Sequence, residues 1–388
     1  MNTRQILISF ALLLCATDCE GAGPVAVGPP TVASTAIAFS TWSKQENQQI
    51  SLLQPDGTTT RLTRGPVWNR PIGWSPDGSR LLVFRHKWIA VGENGRYIVV
   101  TPNSSQEVRL AHAPIWPPGE VAWSPDGTLI AIQDTSNTGY GTIHDPNTIY
   151  LVRADNTGTL PSIRGVRDTD YPNEDHVVLA PLGGATFSWS PDSRQLVIVA
   201  GQGRQSTIDL VNVNDGERKV LLRPGGGMSV FGNVAWSPDG SRIAFTAVGP
   251  KPDTSTIFTI QADGTTITRL GVGVLPHWSP DGSRIAFQNA TTIRVVYADG
   301  TGVVDIPKIC AKVVDAIPCS FTWSPDGSQI ALSGEPGGPT TDGIWVVNTD
   351  GTGITRLPTP PGAHDPPGAY DPLWQPAPAA INGLAANG

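Results

Sequence analysis

The chain has 388 residues, a formal net charge of −7 and a pI near 5.3, and only 15% of its residues are charged. No basic run stands out, so the sequence lacks the positive charge that binding to a phosphate backbone requires, which argues against a nucleic-acid partner. The 43 glycines and 36 prolines leave almost no helix-length window uninterrupted. This composition predicts an all-β chain.

The first 35 residues differ from the rest of the chain. Arg4 precedes an apolar run from Ile6 to Cys15, which is too short to span a membrane but is typical of the core of a signal peptide. We therefore predict a signal peptide at residues 1–20 and a Gly/Pro/Ala-rich tether at 21–35. The expected location is the bacterial periplasm, or the outer membrane as an anchored lipoprotein, with secretion as a third outcome.

The four cysteines fit an exported protein. Cys310 and Cys319 are separated by a short loop segment, and such a pair in an oxidising compartment predicts a disulfide bond. Cys15 or Cys19 is a candidate lipid-attachment residue, and membrane contact is expected only through such an anchor. Leu14 and Asp18 both depart from the small residue that should precede the lipidated cysteine, so plain cleavage by signal peptidase is the alternative.

One motif recurs through the remainder of the chain. WSPDG or a close variant begins at six tryptophans, and a degenerate WQP begins at a seventh. They are Trp74, Trp123, Trp189, Trp236, Trp278, Trp323 and Trp374. The spacing of 42 to 66 residues is the length of four short strands with their turns.

Each copy predicts its own local structure. Ser-Pro-Asp-Gly is typical of a type I turn, and an apolar run such as Leu81–Phe84 follows it as a strand. A second Asp-Gly corner recurs between β-rich runs, for example at Asp263–Gly264. Each unit is therefore a four-stranded antiparallel sheet. Such sheets bury their faces by stacking radially, with the tryptophan in the wedge between neighbours, and we interpret the repeated aspartates as turn formers.

Closure of the ring accounts for both ends of the repeat region. Residues 36–64 contain three strand patterns but no WSPDG strand, whereas Pro372-Leu373-Trp374 is a strand without a sheet. We predict that the C-terminal strand completes the first blade, which gives a seven-bladed β-propeller at 36–376 and leaves a flexible tail at 377–388. Six blades with a stray terminal strand are the alternative.

The W-S-P-D-G string, the I-A-F strand and the D-G turn together resemble the repeat of TolB-like propellers over roughly residues 36–376. The resemblance implies a bacterial cell-envelope propeller. TolB also has a folded domain before its propeller, for which the 35 residues in this chain are too few, so its Tol–Pal partnership is not carried over. Similar propellers precede the hydrolase domain of prolyl-oligopeptidase-like peptidases, but no Gly-x-Ser-x-Gly motif occurs, and that function is rejected.

Strand connectivity predicts where binding residues lie. If the strands are labelled a to d from the centre outward, the a–b and c–d turns lie on one face and the b–c and d–a connections on the other. The long loops, including 134–147 and 165–186 of the longest repeat, are all expected on the second face, and binding residues tend to lie on such loops. The candidate ligand-binding residues are Trp68, His86, Trp88, His112, Trp116, Tyr140, His144, Asp145, Asp168, Asp170, Tyr171, Glu174, Asp175 and His176.

The two long loops of that repeat are expected to meet above one blade as a single elaboration, whose carboxylates favour a cationic group or a calcium ion. His277 precedes Trp278 on a predicted innermost strand, and we interpret it as a packed or solvated channel histidine.

Two functions remain open. The favoured one is a monomeric, non-catalytic envelope propeller that binds a protein, peptide or glycan. We expect it to need no cofactor, and a bound calcium or transition-metal ion is the alternative. The other is a metal-dependent carbohydrate-active enzyme, because the repeat also resembles that of propeller oligogalacturonate lyases. An enzyme of that kind should bring several of His86, His112, His144, His176 and His277 into one ligand shell, whereas a binding protein need not.

Overall fold

The computed structural model describes residues 35–43, 47–86, 95–102, 104, 106–110, 120–133, 149–155, 177–179, 186–201, 203–249, 255–290, 292–306, 321–333, 344–357 and 372–376. These residues form seven four-stranded antiparallel sheets, which are the seven blades of a β-propeller. The described residues contain no α-helix and a single 3-10 turn at Gly203–Gln205. The predicted all-β, seven-bladed propeller is therefore confirmed.

The four strands of each blade run in order from the innermost to the outermost. Blade 1 contains β28 (Leu373–Trp374), β1 (Ile37–Ser43), β2 (Asn47–Leu53) and β3 (Thr59–Arg61). Blade 2 contains β4 (Trp68–Trp74), β5 (Leu81–His86), β6 (Arg96–Thr101) and β7 (Gln106–Arg109). Blade 3 contains β8 (Val121–Trp123), β9 (Leu129–Gln133), β10 (Ile149–Arg153) and β11 (Val177–Leu179). Blade 4 contains β12 (Phe187–Trp189), β13 (Gln195–Ala200), β14 (Thr207–Asn212) and β15 (Arg218–Leu222).

The other three blades follow the same order. Blade 5 contains β16 (Ser229–Trp236), β17 (Arg242–Val248), β18 (Ser255–Gln261) and β19 (Ile267–Val272). Blade 6 contains β20 (Val274–Trp278), β21 (Arg284–Asn289), β22 (Thr292–Tyr297) and β23 (Val304–Ile306). Blade 7 contains β24 (Phe321–Trp323), β25 (Gln329–Ser333), β26 (Ile344–Asn348) and β27 (Thr355–Arg356).

The hydrophobic core lies in the seams between adjacent blades. One cluster joins Leu82 and Tyr97 of blade 2 to Trp123 and Ile130 of blade 3, and equivalent clusters fill the other seams. The second and third strands are apolar on both faces because each face contacts a neighbouring blade. The core is thus distributed around the ring.

The repeated tryptophan links successive blades, as its position in every copy predicted. In five blades the indole Nε1 donates a hydrogen bond to the carbonyl of the residue that precedes the tryptophan of the previous blade. These bonds run from Trp74 to Leu373 (3.2 Å), Trp123 to Gly73 (3.1 Å), Trp189 to Ala122 (3.2 Å), Trp278 to Ala235 (3.0 Å) and Trp323 to His277 (3.1 Å). The Nε1 atoms of Trp236 and Trp374 are buried without a hydrogen-bond partner in the described part of the chain.

The C-terminal strand closes the ring as predicted. Trp374 pairs with Ile37 and Leu373 with Ala38 in antiparallel register, and the Gln375 amide nitrogen donates to the Ala36 carbonyl at 2.8 Å. The Gln375 side chain donates to the Gly78 carbonyl of blade 2 at 2.6 Å. The two ends of the chain's propeller region therefore share blade 1, and the six-bladed alternative is wrong.

Candidate functional site

The two ends of the ring carry different connections. We call the end with the a–b and c–d connections the turn face, and the end with the b–c and d–a connections the loop face. Along each blade the strand order is sequential and antiparallel, so this division holds for all seven blades. Described loop-face positions are therefore residues at the ends of strands b and d or at the beginnings of strands c and a.

One predicted loop segment lies elsewhere. The range 165–186 was expected to be a d–a loop, but it contains β11, the outermost strand of blade 3, which pairs Val177 with Leu151. The chain between Arg153 and Val177 therefore joins strand c to strand d, and both of its ends lie at the turn face. The β-branched pair Val177-Val178 favours a strand at this position, inside the range that the sequence analysis gave as a loop.

Because of this correction, six candidate residues belong to the c–d connection. In strand order they are separated from the b–c loop at 134–147. They are Asp168, Asp170, Tyr171, Glu174, Asp175 and His176, and all six lie outside the described residues. By strand order the segment between β9 and β10 begins at the loop face and the segment between β10 and β11 begins at the turn face, which differs from the expectation that both lie on one face. The expected elaboration itself falls on residues outside the described ranges and stays a prediction.

The other candidate residues divide into two groups. Trp88, His112, Trp116, Tyr140, His144 and Asp145 lie outside the described residues, as do Cys15, Cys19, Cys310 and Cys319. Trp68 and His86 are described, and both lie at strand ends rather than in loops.

Trp68 and His86 form a stacked pair at the loop face of blade 2. They are register partners across β4 and β5, and their ring centroids lie 5.9 Å apart with an interplanar angle of 19°. Phe84 contacts His86 at 5.9 Å and Tyr97 at 5.1 Å, so an aromatic row runs from the loop face into the blade. Partial burial lowers the pKa of His86, which keeps the imidazole neutral at pH 7.

A buried polar network holds the connection that leads to Trp68. Gln49 Nε2 donates to the carbonyls of Gly65 and Val67, both at 2.8 Å, and Asn69 Nδ2 donates to Gln49 Oε1 at 3.2 Å. Gln49 is 2% exposed and Asn69 is fully buried. Because these hydrogen bonds fix the backbone on both sides of Trp68, the aromatic pair is preorganised for contact with a ligand.

Glu120 and Gln133 form a second feature, at the loop face between blades 3 and 4. Glu120 immediately precedes β8, and Gln133 is the last residue of β9. The two residues exchange hydrogen bonds at 2.9 Å, from Gln133 N to Glu120 O and from Glu120 N to Gln133 Oε1. Glu120 Oε2 accepts a hydrogen bond from Phe187 N of blade 4 at 3.3 Å.

We call the surroundings of the Glu120 carboxyl and the Gln133 side-chain amide the Glu120 recess. Glu120 keeps part of its surface exposed, but protein surrounds the carboxyl closely enough that desolvation raises its pKa to about 8, against a small opposing effect of the Phe187 hydrogen bond. Gln133 is 2% exposed, and its Nε2 has no hydrogen-bond partner among the described residues. The recess thus contains a carboxyl group that is protonated at pH 7 and a buried amide donor that is unsatisfied.

The recess continues toward blade 5. Thr186, next to Phe187, donates through its hydroxyl to the carbonyl of Gly232. Gly232 belongs to an irregular stretch of β16, where the register shifts between Val230 and Val234, and the neighbouring Phe231 is 37% exposed. An exposed aromatic ring therefore follows the Glu120 recess along the loop face.

His277 lies on the innermost strand of blade 6, as predicted. Its ring contacts Phe321 of blade 7, with centroids 4.8 Å apart. The side chain keeps exposed surface but is enclosed by the ring of blades, and desolvation lowers its pKa to about 4. This fits the interpretation as a neutral channel histidine.

The described residues hold no cluster of three or more His, Cys, Asp or Glu side chains suited to a metal ion. His86 is in blade 2 and His277 in blade 6, while His112, His144 and His176 are outside the described residues, so the predicted test of histidine convergence stays a prediction. Over the ranges that the structure describes, no helix has the length and apolar character to cross a membrane.

Comparisons with known proteins place this architecture among solved propellers. No protein-family model and no curated protein matches the chain. Similar solved structures include an oligogalacturonate lyase in complex with manganese (16% identity, TM-score 0.53, covering 82% of this chain and 84% of that chain). The oligogalacturonate lyase of Vibrio parahaemolyticus is also similar (15% identity, TM-score 0.52, covering 84% and 86%).

TolB of Acinetobacter baumannii is a further similar structure, with 15% identity and a TM-score of 0.48 over 71% of this chain. This chain spans 64% of that TolB chain. Likenesses at this level of identity show the fold alone, and a β-propeller is the fold that the resemblance to TolB-like propellers implied.

The sequence analysis missed Glu120, Gln133 and Phe231. Glu120 lies three residues before the repeated tryptophan, where the blades on either side carry Pro71 and Thr186. Comparison of the copies would have marked it as one of two acidic residues at this position, the other being Asp371 before Trp374. Gln133 and Phe231 gave no comparable signal, because their roles depend on contacts between blades.

Proposed function

We propose that this protein is a non-catalytic propeller of the bacterial cell envelope that binds a protein, peptide or glycan on its loop face. The observation that supports it most is the presence, on that face, of a preorganised Trp68–His86 pair and an unsatisfied recess at Glu120 and Gln133. A buried polar group that is left unsatisfied calls for an explanation, and completion by a ligand is the explanation that this proposal adopts.

The turn face supports the same assignment by contrast. There the six complete copies of the motif satisfy their own polar groups: each serine hydroxyl donates to the aspartate two residues later at 2.5–2.6 Å. The turns also pack on one another, since Gly127, Gly240, Gly282 and Gly327 each lie against the proline of a neighbouring turn. A surface that is already satisfied in this way offers a partner few new hydrogen bonds.

The proposal includes export, with residues 1–20 as the signal peptide, and it rests for that on the apolar run after Arg4. Mass determination of the mature protein after expression in a bacterium tests this part. A mature N-terminus near residue 21, or a lipid adduct on Cys15 or Cys19, is the expected result. Recovery of the full-length chain in the cytosol would contradict it.

Site-specific photocrosslinking tests the binding face. A photoreactive phenylalanine analogue at Phe231 on the loop face is compared with the same analogue at Thr265, an exposed residue of a turn-face corner. In envelope extracts we expect a discrete crosslinked partner from Phe231, lost on Trp68→Ala or Glu120→Gln substitution, and none from Thr265. Crosslinks that form from Thr265 alone would overturn the proposed face.

Metal analysis separates this function from the enzymatic alternative. A binding protein is expected to retain no stoichiometric manganese, zinc or calcium after dialysis. Retention of such an ion, together with cleavage of oligogalacturonate, would favour the lyase-like function instead.

A further inference from the structure

We infer that the recess formed by Glu120 and Gln133 binds the guanidinium or ammonium group of a basic side chain, and that Glu120 gives up a proton to solvent when it does so. This inference rests on the proposed function and makes it more specific, since it names a basic protein or peptide as the partner. A glycan, which offers neutral hydroxyl groups, becomes an alternative that the experiment can detect.

The hydrogen bonds among the described residues leave acceptor positions open on the Glu120 carboxyl. Its Oε2 accepts one long hydrogen bond, 3.3 Å from Phe187 N. Thr186 O accepts the ladder bond from Val199 N, so the alternate residue Phe187 directs its N–H to the unpaired edge of the innermost strand. The carboxyl therefore lies on the edge of β12 that faces away from the sheet, and Glu120 keeps part of its surface exposed.

Gln133 supplies the second half of the recess. Its Oε1 is fixed on Glu120 N at 2.9 Å, so the Nε2 of the same amide group is held next to Glu120. That Nε2 is a buried donor with no partner in the described part of the chain. An unsatisfied buried donor destabilises the protein, and a ligand that brings a carbonyl oxygen to it removes that destabilisation. A peptide offers this acceptor beside a basic side chain.

The electrostatic surroundings favour a cation as the ligand of the carboxyl. The packed strands β8, β9, β12 and β16 carry no titratable residue, Arg70 is the one on β4, and desolvation is the dominant effect on the Glu120 pKa. Among the described residues, desolvation and not a neighbouring charge governs the Glu120 pKa, and the carboxyl is therefore protonated in the free protein at pH 7. A guanidinium group supplies the missing positive charge and can donate two hydrogen bonds to one carboxylate.

Binding of the cation releases one proton. The free carboxylic acid and the cation combine to a carboxylate–guanidinium pair, and the proton of the acid goes to the solvent. Below the pKa of the free acid, affinity then rises about tenfold for each unit of pH, and it becomes independent of pH above a pH of about 8. A neutral ligand that binds the protonated acid releases no proton and gains nothing from higher pH.

Phe231 extends the same argument to the rest of the partner. It lies along the loop face from the recess, connected through Phe187, Thr186 and Gly232. Its exposed ring suits the methylene groups of an arginine or lysine side chain, which pack on aromatic surfaces while the charged end pairs with a carboxylate.

The test uses the full propeller chain and two probes of matched shape, N-acetylarginine amide and its neutral isostere N-acetylcitrulline amide. Calorimetry in buffers of different ionisation enthalpy measures affinity and proton release, and carboxyl ¹³C NMR follows Glu120 directly. We expect the arginine probe to bind with release of one proton and more tightly as pH rises, and the citrulline probe to bind at least tenfold more weakly. Glu120→Gln should abolish the pH dependence and the preference for arginine.

Glu217→Gln is the matched control, because Glu217 is exposed at a turn-face corner, and it should leave both unchanged. Three outcomes would overturn the inference: no binding of the arginine probe, equal binding of both probes without proton release, or unchanged arginine binding by Glu120→Gln. The photocrosslinks from Phe231 keep the two proposals apart. If they persist while the arginine probe fails, only the cationic ligand is wrong, whereas crosslinks confined to the turn face would remove the proposed function itself.

Discussion

The turn face and the loop face of this ring differ in how their polar groups are satisfied. At the turn face the same hydrogen bonds recur in each complete copy, with a main-chain N–H bonded to the motif serine at 2.9 Å every time. At the loop face each blade is different, and Gln133 is left with an unpaired donor among the described residues. Repetition therefore marks the part of the molecule that holds itself together, and departures from it mark where a partner can contribute.

Removal of the closing strand β28, which is anchored at the turn face, should cause the largest loss of stability. A chain truncated after Gly368 lacks Trp374, which is 5% exposed in a cluster with Ile37 and Phe39, and lacks the Gln375 bonds at the turn face. Loss of one buried tryptophan alone costs about 3–5 kcal/mol, and opening the ring adds to it. We expect a much lower thermal unfolding midpoint.

A chain truncated after Pro376 is the control, since it loses only residues 377–388 and keeps β28. It should melt with the full-length protein. Equal melting of both truncated chains would mean that blade 1 is stable with three strands.

At the loop face, Glu120→Gln should change how the free energy of unfolding depends on pH. The pKa of Glu120 is raised from 4.5 to about 8 by desolvation, so between these values the folded state holds a proton that the unfolded state has lost. The free energy of unfolding of the wild type therefore falls as pH rises through this window, by an amount on the order of a few kcal/mol. In the Glu120→Gln variant this pH-dependent fall in the free energy of unfolding is absent.

Urea unfolding at about pH 5 and about pH 8 measures the difference. The variant should match the wild type near the lower pH and exceed it near the higher one, whereas Glu217→Gln should follow the wild type throughout. A variant that is less stable at both pH values would show that Glu120 is held as a carboxylate by a partner.

These cases show what the sequence could predict and what it could not. Ser-Pro-Asp-Gly and the strand after it depend on local backbone preferences, so the seven blades, the turns and the closing strand were predictable. The outer strand at Val177 lies inside a range that was predicted to be a loop, because a strand of three residues within a long insert has a weak local signature. Glu120 was missed because its desolvation comes from an adjacent blade, and that contact has no local signature.

Ser279→Ala tests how much the internal hydrogen bonds of a single turn contribute to stability. The buried Ser279 hydroxyl donates to Asp281 at 2.5 Å and accepts from Arg284 N at 2.9 Å. Its loss removes the partner of Arg284 N and one of the hydrogen bonds to Asp281, which keeps those from Ser283, and we expect a cost of about 1–3 kcal/mol at neutral pH. Ser283→Ala, at an exposed residue of the same turn, should cost only a few tenths of that amount.

The Ser279 effect should also depend on pH. The Ser279 hydrogen bond is the main cause that lowers the pKa of Asp281 below 3.8, so this stabilisation is present above that pH and is lost as pH falls through the folded-state value. The stability difference between wild type and Ser279→Ala should therefore narrow in acid. A difference that is constant down to low pH would assign the effect to packing instead.

Two tryptophan substitutions give the smallest and most closely matched comparison. Trp123 donates through Nε1 to Gly73 O at 3.1 Å and lies under the Arg80 guanidinium, 5.0 Å from the ring centroid, whereas the Nε1 of Trp236 has no partner within the described ranges. Phenylalanine removes the same atoms from both sites, so the loss of packing is shared. Only Trp123→Phe also breaks a hydrogen bond between blades, and it should be less stable than Trp236→Phe by about 1 kcal/mol. Equal losses in chemical denaturation would mean that the indole bonds are a consequence of blade packing and contribute nothing of their own.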